Sequence, residues 1–232
     1  MSVLYLVRHG QAGTRENYDA LSPLGRRQAQ LLGQYFREQQ IEFERVYSGG
    51  LRRQQDTARE AFPGADLLVD EGWNEFDLAQ VFAEYAPRLA ALDDDFRRDY
   101  QAMQAALAES GGAHEHPVHR RWNECDKKVI QAWIAGRFDY SGESWPAFVA
   151  RIHAALERVR RQAGNAIVFT SATPIGVSAA WTLGLADGRA MQIAGVLHNA
   201  SFTSFRVRSN ELRLFSLNNV PHLSHASLRT FR

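Results

Sequence analysis

The sequence predicts an α/β protein in which a mostly parallel central sheet has helices on both faces, as a three-layer sandwich. From Val3 to Val69, short apolar strands alternate with amphipathic helices, which is typical of parallel strands joined by right-handed crossovers. From Leu78 to about Tyr140, apolar residues recur at helical spacing without an evident strand, and the alternation then resumes. We therefore expect a single domain over residues 1–232, with a helical cap insertion at about 78–140.

The composition limits the class of protein. A chain of 232 residues with 45% hydrophobic and 23% charged residues has the composition of an ordinary globular domain with a substantial core. A formal net charge of +1 argues against a nucleic-acid partner, and no apolar run approaches the length of a membrane span. The single cysteine, Cys125, cannot form an internal disulfide. We expect a cytoplasmic protein with no membrane or nucleic-acid partner; the sequence does not predict its oligomeric state.

The first elements are predicted from local sequence signals. The apolar and aromatic run Val3–Val7 is typical of a strand buried on both faces. After a polar loop, Ser22 and Pro23 provide an N-cap and a first helical residue for a helix that continues to about Gln39. A short apolar stretch at Val46–Tyr47 then predicts the second strand.

The remaining elements follow the same signals. Leu51–Phe62 is predicted to be a helix that ends before Pro63-Gly64, and Leu67–Val69 is predicted to be the third strand. The elements predicted after the insertion are a helix at about Ser144–Gln162, a strand at Ala166–Thr170, a helix from near Pro174 to Gly184, and extended segments at roughly Met191–Val196, Ser201–Val207 and Leu212–Ser216. The last two segments, with a turn at Ser209-Asn210, predict a hairpin at an edge of the sheet.

Residues suited to binding a phosphate follow the first two strands. Arg8, His9 and Gly10 stand at the carboxyl end of the first strand, where open α/β sheets place their ligand crevice. Arginine presents a planar fork of donors that fits a phosphate, imidazole can attack phosphorus, and glycine lets the backbone approach a ligand. Arg53 falls in the first turn of the next helix, where backbone amides favour an anion. Two arginines at neighbouring strand ends can neutralise a transferring phosphoryl group.

These residues resemble the signature of a known family. Arg8-His9-Gly10 is similar to the Arg-His-Gly motif of the histidine phosphatase superfamily, the phosphoglycerate-mutase-like enzymes, whose histidine becomes transiently phosphorylated. The family's second motif, Ser followed by Leu-x-Arg and then Thr-Ala, is matched in spacing by Ser48, Leu51, Arg53, Thr57 and Ala58. The resemblance implies that His9 is the nucleophile and that Arg8 and Arg53 hold the phosphoryl oxygens. Gly10 and Gln11 are expected to contact the substrate.

The resemblance also implies a proton donor after the third strand, at Glu75. The family has a Leu-x-Glu type segment there, and this chain has Trp73 in place of the leucine. Aromatic neighbours at Trp73 and Phe76 can desolvate a carboxyl group and keep it protonated, as a general acid requires. Glu71 and Asp77 are rivals for the role, because both are acidic and close in sequence.

The chain departs from the family pattern after the fourth strand. The family usually carries His-Gly there, whereas this chain has Ser171 and Ala172. A hydroxyl donates one hydrogen bond but brings no positive charge, so we expect Ser171 and Ala172 to contact the substrate with partial compensation from the amides that begin the next helix. His198 is interpreted as a structural residue at the start of a strand, or as an imidazole that substitutes for the missing one. Mutases of the family also carry Trp-Asn where this chain has Thr14-Arg15, which disfavours mutase activity.

The sequence therefore predicts a metal-independent phosphomonoesterase that acts on a small organic phosphate through a phosphohistidine intermediate. No cofactor is expected. The three histidines in the segment His114–His119 are interpreted as part of a loop and not as a metal site, because only Glu115 joins them at ligand spacing. Two alternatives stay open, namely a phosphoglycerate-type mutase and a weakly catalytic protein that binds phosphorylated ligands. Substrate specificity is expected to lie in the helical cap, which leaves the substrate itself unpredicted.

Overall fold

The computed structural model of the chain describes residues 2–13, 17–109, 124–208 and 211–231. The chain divides into two compact units, of which the first comprises Met1–Glu75 with Val149–Arg232 and the second comprises Phe76–Phe148. The first unit contains a β-sheet with helices, and the described part of the second unit is helical.

Six strands form one sheet in the first unit. Their bounds are β1 (Ser2–Arg8), β2 (Arg45–Ser48), β3 (Leu67–Val69), β4 (Ala166–Thr170), β5 (Phe202–Arg208) and β6 (Glu211–Asn219). The spatial order is β3-β2-β4-β1-β5-β6, in which the first four strands pair in parallel and β5 pairs antiparallel with both β1 and β6. The predicted α/β class with a mostly parallel sheet is confirmed, and so is the hairpin at one edge. The predicted turn at Ser209-Asn210 lies outside the described residues.

Eight α-helices are assigned within the described residues. They are α1 (Pro23–Glu38), α2 (Arg52–Ala61), α3 (Leu78–Leu92), α4 (Asp94–Glu109), α5 (Glu124–Ile134), α6 (Trp145–Arg160), α7 (Ala172–Thr182) and α8 (Ala190–Ala194). Helix α1 begins as its sequence predicts, because the Ser22 hydroxyl accepts a hydrogen bond from the Gly25 N–H at 3.0 Å. Pro23 occupies the first turn, where its missing N–H is not needed.

An aromatic core against α1 holds β1 in place. Phe36 of α1 is fully buried, and its ring lies 5.4 Å from the Tyr5 ring and 5.1 Å from the Phe43 ring in edge-to-face arrangements. Val7 of β1 belongs to the same buried cluster. Because full burial of one such side chain stabilises a fold by about 2–3 kcal/mol, this packing anchors the strand directly before Arg8.

One predicted element is wrong. The segment Met191–Val196 was expected to be extended, but most of it belongs to the short helix α8. Ala190 and Ala194 are four residues apart, share one helical face and are both buried. That face packs closely on α7, because a Cβ on Gly176 of α7 would overlap the carbonyl group of Ala190. A short apolar run does not by itself distinguish a strand from a buried helix, and here the contact with α7 decides in favour of a helix.

The second unit has its own aromatic core. The Trp133 ring is buried, lies 4.6 Å from the Phe76 ring and 5.4 Å from the Trp145 ring, and its Nε1–H donates to the Glu143 carbonyl at 3.1 Å. Asp77 caps α3 by accepting from the Gln80 N–H at 3.0 Å. The stretch 78–140, predicted to lack strands, falls within this unit, and its role as a cap insertion in a single domain stays a prediction. Among the described helices, none is long and apolar enough to cross a membrane.

Candidate active site

His9 follows β1 directly and is held by the backbone on both sides. Arg8 is paired with Thr170 of β4, and the next residue, His9, donates its N–H to the Thr170 carbonyl at 2.9 Å. The His9 carbonyl accepts from the Ala200 N–H at 3.2 Å and from the Asn199 side-chain amide at 3.3 Å. His9 is only 2% exposed. Its position at the carboxyl end of parallel strands is therefore fixed by main-chain contacts to two neighbouring segments.

The His9 ring is oriented by the backbone of the next residue. Its Nδ1 lies 2.8 Å from the carbonyl oxygen of Gly10. A carbonyl oxygen only accepts hydrogen bonds, so Nδ1 carries a proton, and in the neutral imidazole the lone pair is then on Nε2. An imidazole in this form is a nucleophile at Nε2.

Gly10 allows two helices to approach the nucleophile closely. A Cβ on Gly10 would lie 2.9 Å from the carbonyl carbon of Gly25 in α1, so a larger residue would push the helix and the strand end apart. The Gly10 N–H donates to the Thr57 hydroxyl of α2 at 3.0 Å. Beside it, the side chain of Gln11 accepts from the Ser22 hydroxyl at 2.7 Å. Gly10 and Gln11 thus connect the end of β1 to the start of α1 and to α2.

Arg8 is almost completely buried, with 6% of its surface exposed. Its guanidinium donates to the carbonyl groups of Leu197 and Phe231, and its Nε has no hydrogen-bond partner among the described residues. Burial lowers the pKa of Arg8, while interactions with Tyr18 and with Glu75 raise this pKa and the nearby Arg53 lowers it. Both Glu75 and Arg53 therefore lie within electrostatic reach of Arg8.

Arg53 stands in the first turn of α2 and is 8% exposed. Its guanidinium pairs with the Asp19 carboxylate at 2.8 Å and lies 5.0 Å from the centre of the Tyr18 ring. Asp19 also accepts from the Arg52 N–H at 3.0 Å, so one carboxylate binds both the helix start and the arginine. The carboxylate of Asp19 thus occupies the N-terminus of α2, a position that favours a negatively charged group. Sequence reasoning missed Asp19 and Tyr18, because a polar loop gives no spacing that links them to Arg53.

Glu75 is placed by a tightly held segment after β3. Its carboxylate accepts from the Thr173 N–H, at the start of α7, at 3.2 Å. The fully buried Trp73 holds the segment, because its carbonyl accepts from the Thr170 hydroxyl at 2.6 Å. Arg151 adds hydrogen bonds to the carbonyl groups of Gly72 and Asn74 at 3.0 and 3.1 Å. The two rivals differ from Glu75, since Glu71 is exposed and Asp77 caps α3 in the second unit.

Ser171 follows β4 and is 1% exposed. Its hydroxyl accepts from the side-chain amide of Gln54 at 2.9 Å, and it makes no cap hydrogen bond to α7, which begins at Ala172. The second amide of the helix, that of Thr173, donates to Glu75. Gln54 was not predicted, although it stands directly after Arg53 in the matched motif.

The remaining candidates lie elsewhere or outside the described residues. His198 precedes β5 and does not begin it; its ring lies 4.1 Å from the Phe231 ring, and its Nδ1 lies 3.3 Å from the Asn218 side-chain oxygen. Thr14-Arg15 and the segment His114–His119 fall outside the described residues. Within the described residues, no group of three or more potential metal ligands is found.

The first four strand ends therefore bring an imidazole held at Nδ1, two buried guanidinium groups, a carboxylate and a buried hydroxyl to one edge of the parallel sheet. This combination defines the class of protein, one whose site is built for phosphoryl groups. The model of the histidine phosphatase superfamily, branch 1, matches residues 4–129 and 101–220. The chain belongs to this superfamily, and the predicted enzyme class, a histidine-type phosphatase and phosphoric monoester hydrolase, is confirmed.

Solved structures share the fold over nearly the whole chain. Phosphoserine phosphatase from Entamoeba histolytica, in complex with 3-phosphoglyceric acid, is 20% identical to this chain, with a TM-score of 0.61. The superposition covers 96% of this chain and 100% of the phosphatase chain. YhfR from Bacillus stearothermophilus is 17% identical with a TM-score of 0.66, over 97% of this chain and 100% of the YhfR chain. A mycobacterial glucosyl-3-phosphoglycerate phosphatase is 20% identical with a TM-score of 0.59, over 93% of this chain and 98% of the phosphatase chain. The TM-scores of these structures, from 0.59 to 0.66, establish the shared fold. A comparison with curated proteins finds no match.

Proposed function

We propose that the protein is a metal-independent phosphomonoesterase that cleaves a small organic phosphate through a phosphohistidine on His9. The observation that carries this proposal is the hydrogen bond of 2.8 Å between His9 Nδ1 and the Gly10 carbonyl, because a ring held at Nδ1 has its lone pair on Nε2 when the imidazole is neutral. Two buried arginines stand in the same part of the sheet edge and supply positive charge for a phosphoryl group.

In the first step, Nε2 of His9 forms a bond to phosphorus while the bond from phosphorus to the ester oxygen breaks. Arg8 and Arg53 neutralise charge on the phosphoryl oxygens as the group flattens. Glu75 protonates the departing alcohol, so that the leaving group does not depart as an alkoxide. The Thr173 N–H holds the Glu75 carboxyl group in one orientation for this transfer.

In the second step, water attacks phosphorus and the bond to Nε2 breaks. Glu75, which lost its proton to the alcohol, now accepts one from the attacking water, and inorganic phosphate is released. The cycle returns both residues to their starting protonation states. It requires no metal, because the two guanidinium groups carry the charge that magnesium carries in kinases.

The substrate class rests on the kind of site and on the names of related structures. Similar folds belong to phosphatases whose names or complexes include phosphoserine, 3-phosphoglyceric acid and glucosyl-3-phosphoglycerate. We therefore infer a small organic phosphate as substrate. A cytoplasmic location and the absence of a nucleic-acid partner stay predictions from composition.

The test combines phosphate release with trapping of the intermediate. The wild-type protein is incubated with a panel of phosphomonoesters that includes phosphoserine, 3-phosphoglycerate, sugar phosphates and nucleoside monophosphates, and inorganic phosphate is measured. With a radiolabelled substrate, rapid quenching should leave a label on the protein that is stable in alkali and lost in acid, as expected for a phosphoramidate.

Two variants complete the experiment. His9→Ala should lose the label, whereas His225→Ala, at an exposed histidine, should retain it. Acid-stable label, or label on His9→Ala, would contradict the mechanism. Interconversion of phosphoglycerates without phosphate release would favour a mutase. Tight binding of a phosphomonoester by the wild type with neither label nor phosphate release would favour a weakly catalytic binding protein.

A further inference from the structure

We propose that Gln54 is a positioning residue that makes the Ser171 hydroxyl a hydrogen-bond donor toward the phosphoryl group carried by His9. The inference rests on the proposed function, and it assigns a role to a residue that neither the family motif nor the catalytic steps above include. It also gives a role to Ser171, which stands where the family usually carries a histidine.

The Gln54 amide is fully buried and its hydrogen-bonding groups are used on both sides. Its Nε2 donates to the Ser171 hydroxyl at 2.9 Å and to the Trp73 carbonyl at 3.3 Å. Its Oε1 accepts from the Leu51 N–H at 3.3 Å. The reverse orientation of the amide would place an NH₂ group against the Leu51 N–H and an oxygen against the Trp73 carbonyl. The neighbours therefore fix Nε2 on the side of Ser171.

This orientation determines what the Ser171 hydroxyl can do. A hydroxyl has one proton and two lone pairs, and here one lone pair accepts from Gln54. Although Ser171 is the N-cap of α7, its side chain makes no cap hydrogen bond. Within the described residues, the hydroxyl has no acceptor for its own proton. That proton remains to be donated to a ligand.

The register of the sheet places this donor beside the nucleophile. Arg8 of β1 is paired with Thr170 of β4, so the residues that follow, His9 and Ser171, are neighbours beyond the ends of two parallel strands. A phosphoryl group on His9 presents negatively charged oxygens at this edge. A hydrogen bond from a neutral hydroxyl to a charged acceptor is stronger than one between neutral groups.

Gln54 also joins this hydroxyl to the segment of the proton donor. The Trp73 carbonyl accepts from both Gln54 and the Thr170 hydroxyl, at 3.3 and 2.6 Å. Glu75 follows two residues later. One buried amide thus contacts both Ser171 after β4 and the segment before Glu75, so it links the position of the hydrogen-bond donor to that of the proton donor.

The first test is a double-mutant cycle with Gln54→Met and Ser171→Ala. Methionine has a similar length and no donor, so it removes the positioning hydrogen bond while filling the space. We expect each single variant to lower kcat about tenfold or more, the range expected for a hydrogen bond to a charged group. The double variant should be no slower than the slower single variant, because both changes remove the same hydrogen bond. Multiplied effects, or an unchanged kcat for Gln54→Met, would overturn the proposal.

The second test uses pH. In Gln54→Glu an ionised carboxylate accepts from the Ser171 hydroxyl and turns its proton away from the phosphoryl group. A protonated carboxyl group can donate again. The ratio of the kcat of Gln54→Glu to that of the wild type should therefore rise as the pH falls, while the ratio for Gln54→Met stays flat. A purely structural role would give flat ratios for both variants and would overturn the proposal.

The matched control is Gln55→Glu, which puts a carboxylate on the neighbouring residue of the same helix turn without touching Ser171. Its ratio to the wild type should not change with pH in the manner of Gln54→Glu. If Gln54→Glu does not fold, the cycle with Gln54→Met decides alone.

The outcomes separate this inference from the proposed function. A wild type that releases phosphate and forms the acid-labile label, but shows an additive cycle, would overturn only the role of Gln54. A wild type that releases no phosphate from any ester would overturn the proposed function. In that case the affinity for inorganic phosphate, measured by calorimetry for the four proteins of the cycle, still tests the coupling between Gln54 and Ser171.

Discussion

Acidification is expected to destabilise the protein through His222, a buried imidazole after β6. Its ring lies 6.5 Å from the Phe202 ring and 6.3 Å from the Tyr35 ring, and burial lowers its pKa from 6.5 to about 4. Between these values the unfolded chain binds a proton that the folded protein does not, so the free energy of unfolding falls as the pH drops below about 6.5. At about 1.4 kcal/mol per pKa unit, the loss from His222 is about 2 kcal/mol at pH 5 and levels off at about 3 kcal/mol below pH 4.

The measurement is urea unfolding at pH 7 and pH 5 for the wild type and for His222→Phe. Phenylalanine keeps an aromatic ring beside Phe202 but cannot be protonated. The wild type should lose about 2 kcal/mol more than the variant over this interval. His153, whose pKa is also lowered by burial, is present in both proteins and cancels in the comparison. His225→Gln, at an exposed position, should behave like the wild type. Equal losses in the wild type and His222→Phe would refute the reasoning.

Three further predictions concern the active site. Gly10→Ala should lower kcat about tenfold or more, because the added Cβ would lie 2.9 Å from the Gly25 carbonyl carbon and would displace the strand end that carries His9. Circular dichroism should show that the variant still folds. An unchanged kcat would show that the site tolerates this shift. Phosphate release should persist in excess EDTA, since arginines supply the positive charge, and activity lost in EDTA and restored by one divalent ion would contradict this. Asp19→Asn should bind inorganic phosphate more tightly in calorimetry. The amide oxygen of asparagine can still accept from the Arg52 N–H at the start of α2, but the negative charge that offsets Arg53 is lost. Weaker binding would show that Asp19 instead orients Arg53.

The sequence predicts the parts of the fold whose signals are local. The apolar run of β1, the Ser22-Pro23 start of α1 and the run of β4 each have a pattern that one kind of element satisfies, and the structure has those elements there. The order of strands in space has no such signal, because it depends on pairing between distant segments. The prediction of a strand at Met191–Val196 is wrong for the same reason. The apolar run fits a strand or a helix, and contact with α7, a distant segment, favours the helix.

The candidate site shows the same division. We could identify Arg8, His9 and Arg53 from the sequence because each lies at or after the end of a recognisable strand and belongs to a motif with fixed spacing. Gln54 could not be identified, because its role depends on the distance of 2.9 Å to Ser171, which lies on another strand end far along the chain. Asp19 likewise becomes part of the site only when its loop meets the start of α2. Spacing along the chain identifies residues that belong to a motif, and it misses their hydrogen-bond partners from distant segments.

The charges in the described part of the site explain how it can bury two arginines beside a serine at position 171. Arg53 is offset by Asp19 at 2.8 Å, and Arg8 lies within electrostatic reach of Glu75. The two guanidinium groups thus have two carboxylates, which limits their mutual repulsion and the cost of burial before substrate arrives. In the proposed mechanism, a phosphoryl group would compete with Asp19 for Arg53, and the proton on Glu75 in the first step would remove the other opposing charge. A histidine at position 171 would add a third potential cation beside Arg8. The Ser171 hydroxyl, oriented by Gln54, instead adds a donor without adding charge, so the charges at this end of the sheet remain those of Arg8 and Arg53 and of the two carboxylates that offset them.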